Sequence, residues 1–85
     1  MDKIIWNKKA LKQLRKIPAK IKKVIITAVE DLSTADGWHN VKPLNNHQYM
    51  YRLRVGRFRV FFDLEQKEVK IYLIQEVKKR DERTY

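Results

Sequence analysis

The stretch Tyr51-Arg-Leu-Arg-Val-Gly-Arg-Phe-Arg-Val-Phe-Phe62 constrains this chain more than any other. Two alternating runs flank Gly56-Arg57. A two-residue loop with glycine first suits a type II′ turn, so the segment predicts a β-hairpin. Strand side chains point to opposite faces in turn. Tyr49, Tyr51, Leu53 and Val55 are expected on one face, and Met50, Arg52 and Arg54 on the other. On the return strand Phe58, Val60 and Phe62 alternate with Arg59, Phe61 and Asp63. A sheet that buries one face then gathers Arg52, Arg54 and Arg59 on the other. Like charges crowded on a sheet are destabilising, so the pattern points to an anionic ligand. A bland reading stays open beside it: Arg52 and Arg54 as surface residues, and Arg59 paired with Asp63 or Glu68.

The rest of the chain supplies partners for this hairpin. Lys3 to Trp6 reads as a short strand, and Asn7 as the N-cap of a helix over Lys8 to Lys16. Leu11 and Leu14 make its apolar stripe, with Ala10 and Ile17 alongside. Pro18 fits the first turn of a second helix running to about Ser33. There Ile21, Val24, Ile25, Ala28 and Leu32 follow helical spacing. Ser33-Thr-Ala-Asp-Gly37 is a stop signal, and Trp38 to Asn46 reads as a loop. Strands are expected over Gln48 to Val55, Phe58 to Leu64 and Glu68 to Gln75, with Glu76 to Tyr85 a charged tail. Strands that follow helices suggest one α+β domain over residues 1–85, its helix hairpin packed on one face of a small, mostly antiparallel sheet.

Charge speaks to partners. Twenty Lys+Arg against ten Asp+Glu give a net charge of +10. That excess favours nucleic acid first, an acidic protein second and a membrane surface third. Lys8, Lys9, Lys12, Lys20, Lys22 and Lys23 on the helices, with Lys78 and Lys79 near the end, are the candidate RNA contacts. The chain has no cysteine. This excludes thiol chemistry and fits a reducing cytosol. The N-terminal apolar run is too short for a signal peptide, and no run approaches a membrane span. His39 and His47 are isolated and no ligand spacing is present, so neither a metal nor another cofactor is expected.

What remains for chemistry is basic and aromatic. Guanidiniums grip phosphates in a planar, bidentate way. They also stabilise the charge that develops when a ribose 2′-hydroxyl attacks its own phosphate. Arginine stays protonated and makes a poor base. Lys78, Lys79, Glu76, His47 and Tyr85 are the alternatives for proton transfer.

The run Val41-Lys-Pro-Leu-Asn45 and the hairpin Met50 to Phe62 resemble the RelE/ParE toxin superfamily. The tail Val77-Lys-Lys-Arg-Asp-Glu-Arg-Thr-Tyr85 is similar to that family's C-terminal "arginine … tyrosine" segment. The resemblance covers nearly the whole chain. It implies the toxin of a type II toxin–antitoxin pair in the cytoplasm of a prokaryote, neutralised by an acidic antitoxin. RelE-like members cut mRNA in the ribosomal A site without metal, whereas ParE-like members poison DNA gyrase. Carried over by position, Arg52 and Arg54 match two basic positions that are lysines in RelE. Arg59 matches the transition-state arginine, and Arg80 a C-terminal acid or phosphate ligand. Tyr85 matches the tyrosine that stacks on the substrate base. The Arg80–Tyr85 spacing is one residue shorter than in RelE. The resemblance favours a ribosome-dependent mRNA endonuclease; a gyrase poison and a non-toxic nucleic-acid-binding module are the competing readings.

Overall fold

A computed structural model of the chain describes residues 2–80. The hairpin is its centre. Strands β3 (Tyr51–Val55) and β4 (Phe58–Gln66) pair antiparallel from Val55↔Phe58 outward. Gly56 has φ +57°, and Arg57 is not in the positive-φ region. That pattern belongs to type II′, which needs a left-handed residue only at its first position. Leu53, Val55, Val60 and Phe62 are buried, so the alternation resolves as expected, one face inward.

The third strand of the meander, β5 (Lys70–Lys79), pairs antiparallel with β4. It runs four residues past its expected end at Gln75, into the segment read as a charged tail. Val77 explains this, because its side chain is buried in the core opposite Val60. One bulge interrupts the ladder: Phe61 pairs with Glu76 and Phe62 with Ile74, leaving Gln75 over. A bulge re-aims the side chains on either side of it.

Strand β1 (Lys3–Trp6) lies parallel to β5, with Ile4 opposite Tyr72. Asn7 then caps helix α1 (Lys8–Arg15) through Oδ1, which accepts from the Ala10 N–H at 2.8 Å. Ala10, Leu14 and Ile17 are buried, while Leu11 is exposed, so the buried stripe of α1 is narrower than expected. Pro18, expected in the first turn of helix α2 (Ala19–Glu30), is its N-cap instead, so the helix starts one residue later. A short 3-10 turn over Asp31–Ser33 continues it. Its buried stripe is Ile25, Val29 and Leu32. Ile21 and Val24, expected to share that stripe, are 40% and 58% exposed instead. They face an apolar groove beside the hairpin turn, with Val55 and Phe58 on its other wall.

The expected loop from Trp38 to Asn46 holds a strand, β2 (Val41–Pro43), antiparallel to β3. Three residues are too few to show a two-residue period, and proline is tolerated only on an edge, where β2 lies. The sheet order is β1-β5-β4-β3-β2. The α+β class and the single helix-covered face stand as expected, with five strands rather than four. Trp38 joins the two layers. Its ring meets Tyr51 and Phe62 edge-on, at 5.2 and 5.7 Å, and its Nε1–H donates to the Leu32 carbonyl at 2.7 Å. The preceding Gly37 must be glycine, since a Cβ there would lie 1.8 Å from the Asp31 carbonyl oxygen.

Candidate phosphate-binding cleft

The uncovered face follows from strand register. Arg54 lies opposite Arg59, and Arg59 opposite Lys78, giving one row of cations across β3, β4 and β5. The next row reads Lys42, Arg52, Phe61, Glu76. At the hairpin tip the Arg80 N–H donates to the Arg57 carbonyl at 2.6 Å, drawing the end of β5 onto the turn. Arg52, Arg54, Arg57, Arg59 and Arg80 thereby line one cleft of about 210 Å³, with Gly56 and Phe58.

Three of these guanidiniums meet no counter-charge in the described part of the chain. Among the described residues, no carboxylate pairs with Arg52, Arg54 or Arg59. Asp63, a potential partner of Arg59, instead accepts from the Met50 N–H at 2.8 Å and from Gln75 at 3.1 Å. The Nε of Arg52 is buried without an acceptor. A buried donor left unmade costs about 1–3 kcal/mol. An anion among the guanidiniums would supply acceptors to several at once.

A second cluster, one strand row away, is satisfied from within. His47 stacks on Phe61 with ring centres 5.4 Å apart, and its Nδ1 accepts from the Tyr49 N–H at 3.0 Å. Tyr49 was expected beside Tyr51 on the core face. It lies instead against Phe61 on the other face, because the chain enters β3 only at Tyr51 and the bends before it are free of strand alternation. The Tyr49 hydroxyl donates to Glu76 Oε1 at 3.1 Å. Burial first, and then this bond to a carboxylate, push the Tyr49 pKa above its ordinary 10.0. Lys9 donates to the same oxygen at 3.3 Å, and Lys78 approaches Oε2 at 3.9 Å. Glu76 is thus the tether of Lys9, Lys78 and Tyr49.

The sequence-derived site residues divide accordingly. The structure brings Arg52, Arg54, Arg59 and Arg80 together. Lys9 and Lys78 converge on Glu76. Lys20 and Lys79 flank an apolar groove beside the hairpin. Lys8, Lys12 and Lys23 are exposed on the helices, and Lys22 is half-buried. Tyr85 lies outside the described residues. Arg57 was read only as a turn residue, yet it lines the cleft. Its place at the tip of an arginine-bearing hairpin was the available signal. Among the described residues no cluster of potential metal ligands occurs, and no helix is long and apolar enough to cross a membrane.

Residues 4–84 match the sequence profile of the ParE toxin of type II toxin–antitoxin system, parDE. The chain belongs to the RelE/ParE superfamily of type II toxins. The fold agrees. The toxin is similar to the archaeal RelE–RelB complex from Pyrococcus horikoshii, with TM-score 0.77, 20% identity, and 94% of this chain and 96% of that one covered. The toxin–antitoxin complex RelBE2 from Mycobacterium tuberculosis gives 0.74 and 19%, covering 92% and 96%. The YoeB/ParE toxin from Agrobacterium tumefaciens gives 0.74 at 10% identity, covering 93% and 99%. At these identities the likeness establishes the fold alone. No curated protein is significantly similar in sequence.

Proposed function

We propose that this toxin is a metal-independent endoribonuclease that cuts mRNA in the ribosomal A site and so arrests translation. The observation that carries the reading is the arginine cleft, with five guanidiniums and a buried Arg52 Nε lacking an acceptor. In the reaction the 2′-oxygen attacks the adjacent phosphorus and forms a 2′,3′-cyclic phosphate. The P–O5′ bond breaks, one proton leaves the 2′-hydroxyl, and one reaches the departing 5′-oxygen. Charge grows on the non-bridging oxygens, where fixed guanidiniums lower the barrier most. Arg59, in mid-sheet between Arg54 and Lys78, is the transition-state ligand. Arg52, Arg54 and Arg80 hold the phosphate, and Tyr85 stacks on a base. The helix lysines and Lys79 meet ribosomal RNA. Proton transfer falls to Lys78, opposite Arg59 in the sheet.

The test is primer extension on mRNA programmed into ribosomes. Wild-type protein should give A-site cuts that an Arg59→Ala protein does not. Intact mRNA beside sustained growth arrest would overturn the reading. It would favour the second one, a DNA gyrase poison, which the match to a ParE profile supports.

The surface beside the arginine cleft supports an acidic antitoxin as partner. An apolar groove of about 470 Å³ runs between α2 and the hairpin and shares Gly56, Arg57 and Phe58 with the arginine cleft. A helix with one apolar face would cover the exposed Ile21 and Val24 there and carry carboxylates to the guanidiniums.

A further inference from the structure

A second cleft, of about 270 Å³, adjoins the first and has Arg52 and Arg54 in common with it. Its other walls come from β2 and the two residues ahead of it: His39, Asn40, Val41 and Lys42. Two backbone features hold this segment against the sheet. Lys42 pairs in register with Arg52, and the Arg54 N–H donates to the Asn40 carbonyl at 3.1 Å.

Two side chains of this segment are hydrogen-bonded as well. His39 Nδ1 lies 2.6 Å from the Asp36 carbonyl oxygen. A carbonyl can only accept, so Nδ1 carries the ring proton. Nε2 faces the Asn40 carboxamide nitrogen at 3.2 Å and accepts its N–H. His39 therefore sets the rotation of the Asn40 carboxamide. It leaves Oδ1 and the second amide proton for a ligand. An amide presenting an acceptor beside a donor is the group that pairs with the N6 and N7 edge of adenine. Nothing in the cleavage chemistry uses this pair.

We propose that this cleft is a nucleotide subsite in which Asn40, turned by His39, reads an adenine base next to the phosphate held by the arginines. Lys42 neutralises that nucleotide's own phosphate. The inference rests on the polynucleotide reading above and adds a base preference to it.

The probes are end-labelled 2′-O-methyl hexanucleotides of adenosine and of uridine, which cannot be cleaved by 2′-hydroxyl attack. Binding to the full chain is followed by fluorescence anisotropy at one fixed salt concentration. The wild type should bind the adenosine hexamer on the order of ten-fold tighter. Asn40→Ala should bring the two affinities together by lowering that of the adenosine hexamer. His39→Ala should narrow the gap in the same direction. Arg59→Ala should weaken both hexamers alike. A wild type that binds both equally, or an Asn40→Ala protein that keeps the preference, overturns the subsite while sparing the phosphate cleft. A wild type that binds neither hexamer overturns the subsite and the polynucleotide reading together. Asn40 is exposed, so its truncation leaves the core intact.

Discussion

The two faces of the sheet are built from the same strands by opposite rules. On the helix side, Leu53, Val60, Phe62, Tyr72 and Ile74 lock into one apolar cluster with Ile25 and Val29. Each residue there gains from its neighbours. On the open side, Arg52, Arg54 and Arg59 gain nothing from one another, and no described carboxylate offsets them. One face supplies the stability, and the other uses it to hold like charges at fixed spacing. Stability and function should therefore separate cleanly by face, and substitutions can test whether they do.

The largest effect expected is on the covered face. Phe62 is fully buried. Phe62→Ala should lower unfolding free energy by about 3–5 kcal/mol, read by denaturant titration. Arg59→Ala should do the reverse: mRNA cleavage falls by at least about a hundred-fold, the loss typical of removing one transition-state donor. Its unfolding midpoint should stay level or rise. A destabilised Arg59→Ala protein would break the division between faces.

Glu76 tests a place where the open face is stabilised from within. Glu76→Gln removes the charge that holds Lys9 and Lys78 and should cost about 1–3 kcal/mol. Its effect on cleavage should be smaller than that of Arg59→Ala, because Glu76 does not line the arginine cleft. Gly56→Ala should cost on the order of 1 kcal/mol. The open space at that position shows that the penalty comes from φ +57° rather than from a clash.

The smallest effect is on pH dependence. Tyr49 and Tyr72 both have pKa values raised above 10.0, first by burial. A folded pKa above the unfolded one means that the folded state holds its proton more tightly. The associated stability is present below pH 10.0 and is lost as pH rises through the folded value. Tyr49→Phe should flatten the alkaline decline in stability. An unchanged slope would mean that neither burial nor Glu76 raises the Tyr49 pKa.

Much of the fold was legible because it rests on local rules. The Gly56-Arg57 turn, the alternation through β3 and β4, the Asn7 cap and the α+β order are each encoded within a few residues. The errors fall where distant contacts decide. β2 is a strand only because β3 offers it an edge. Val77 extends β5 because a core position awaits it. Ile21 and Val24 keep helical spacing yet stay exposed, because they face the groove beside the hairpin turn rather than the packed core.

The same division holds for the site. Sequence alone determined which residues carry charge and which face of the hairpin bears Arg52, Arg54 and Arg59, since strand geometry has a period of two. It also determined the superfamily resemblance, through the motif in that hairpin. Only the tertiary structure decided that Arg57 and Arg80 complete the cleft. It alone decided that Glu76 is a tether, and that Asn40 stands beside the arginines. Those facts depend on strand order and on the bulge between Phe61 and Phe62. Both are settled by which surfaces can be buried together, and no local stretch of sequence contains that information.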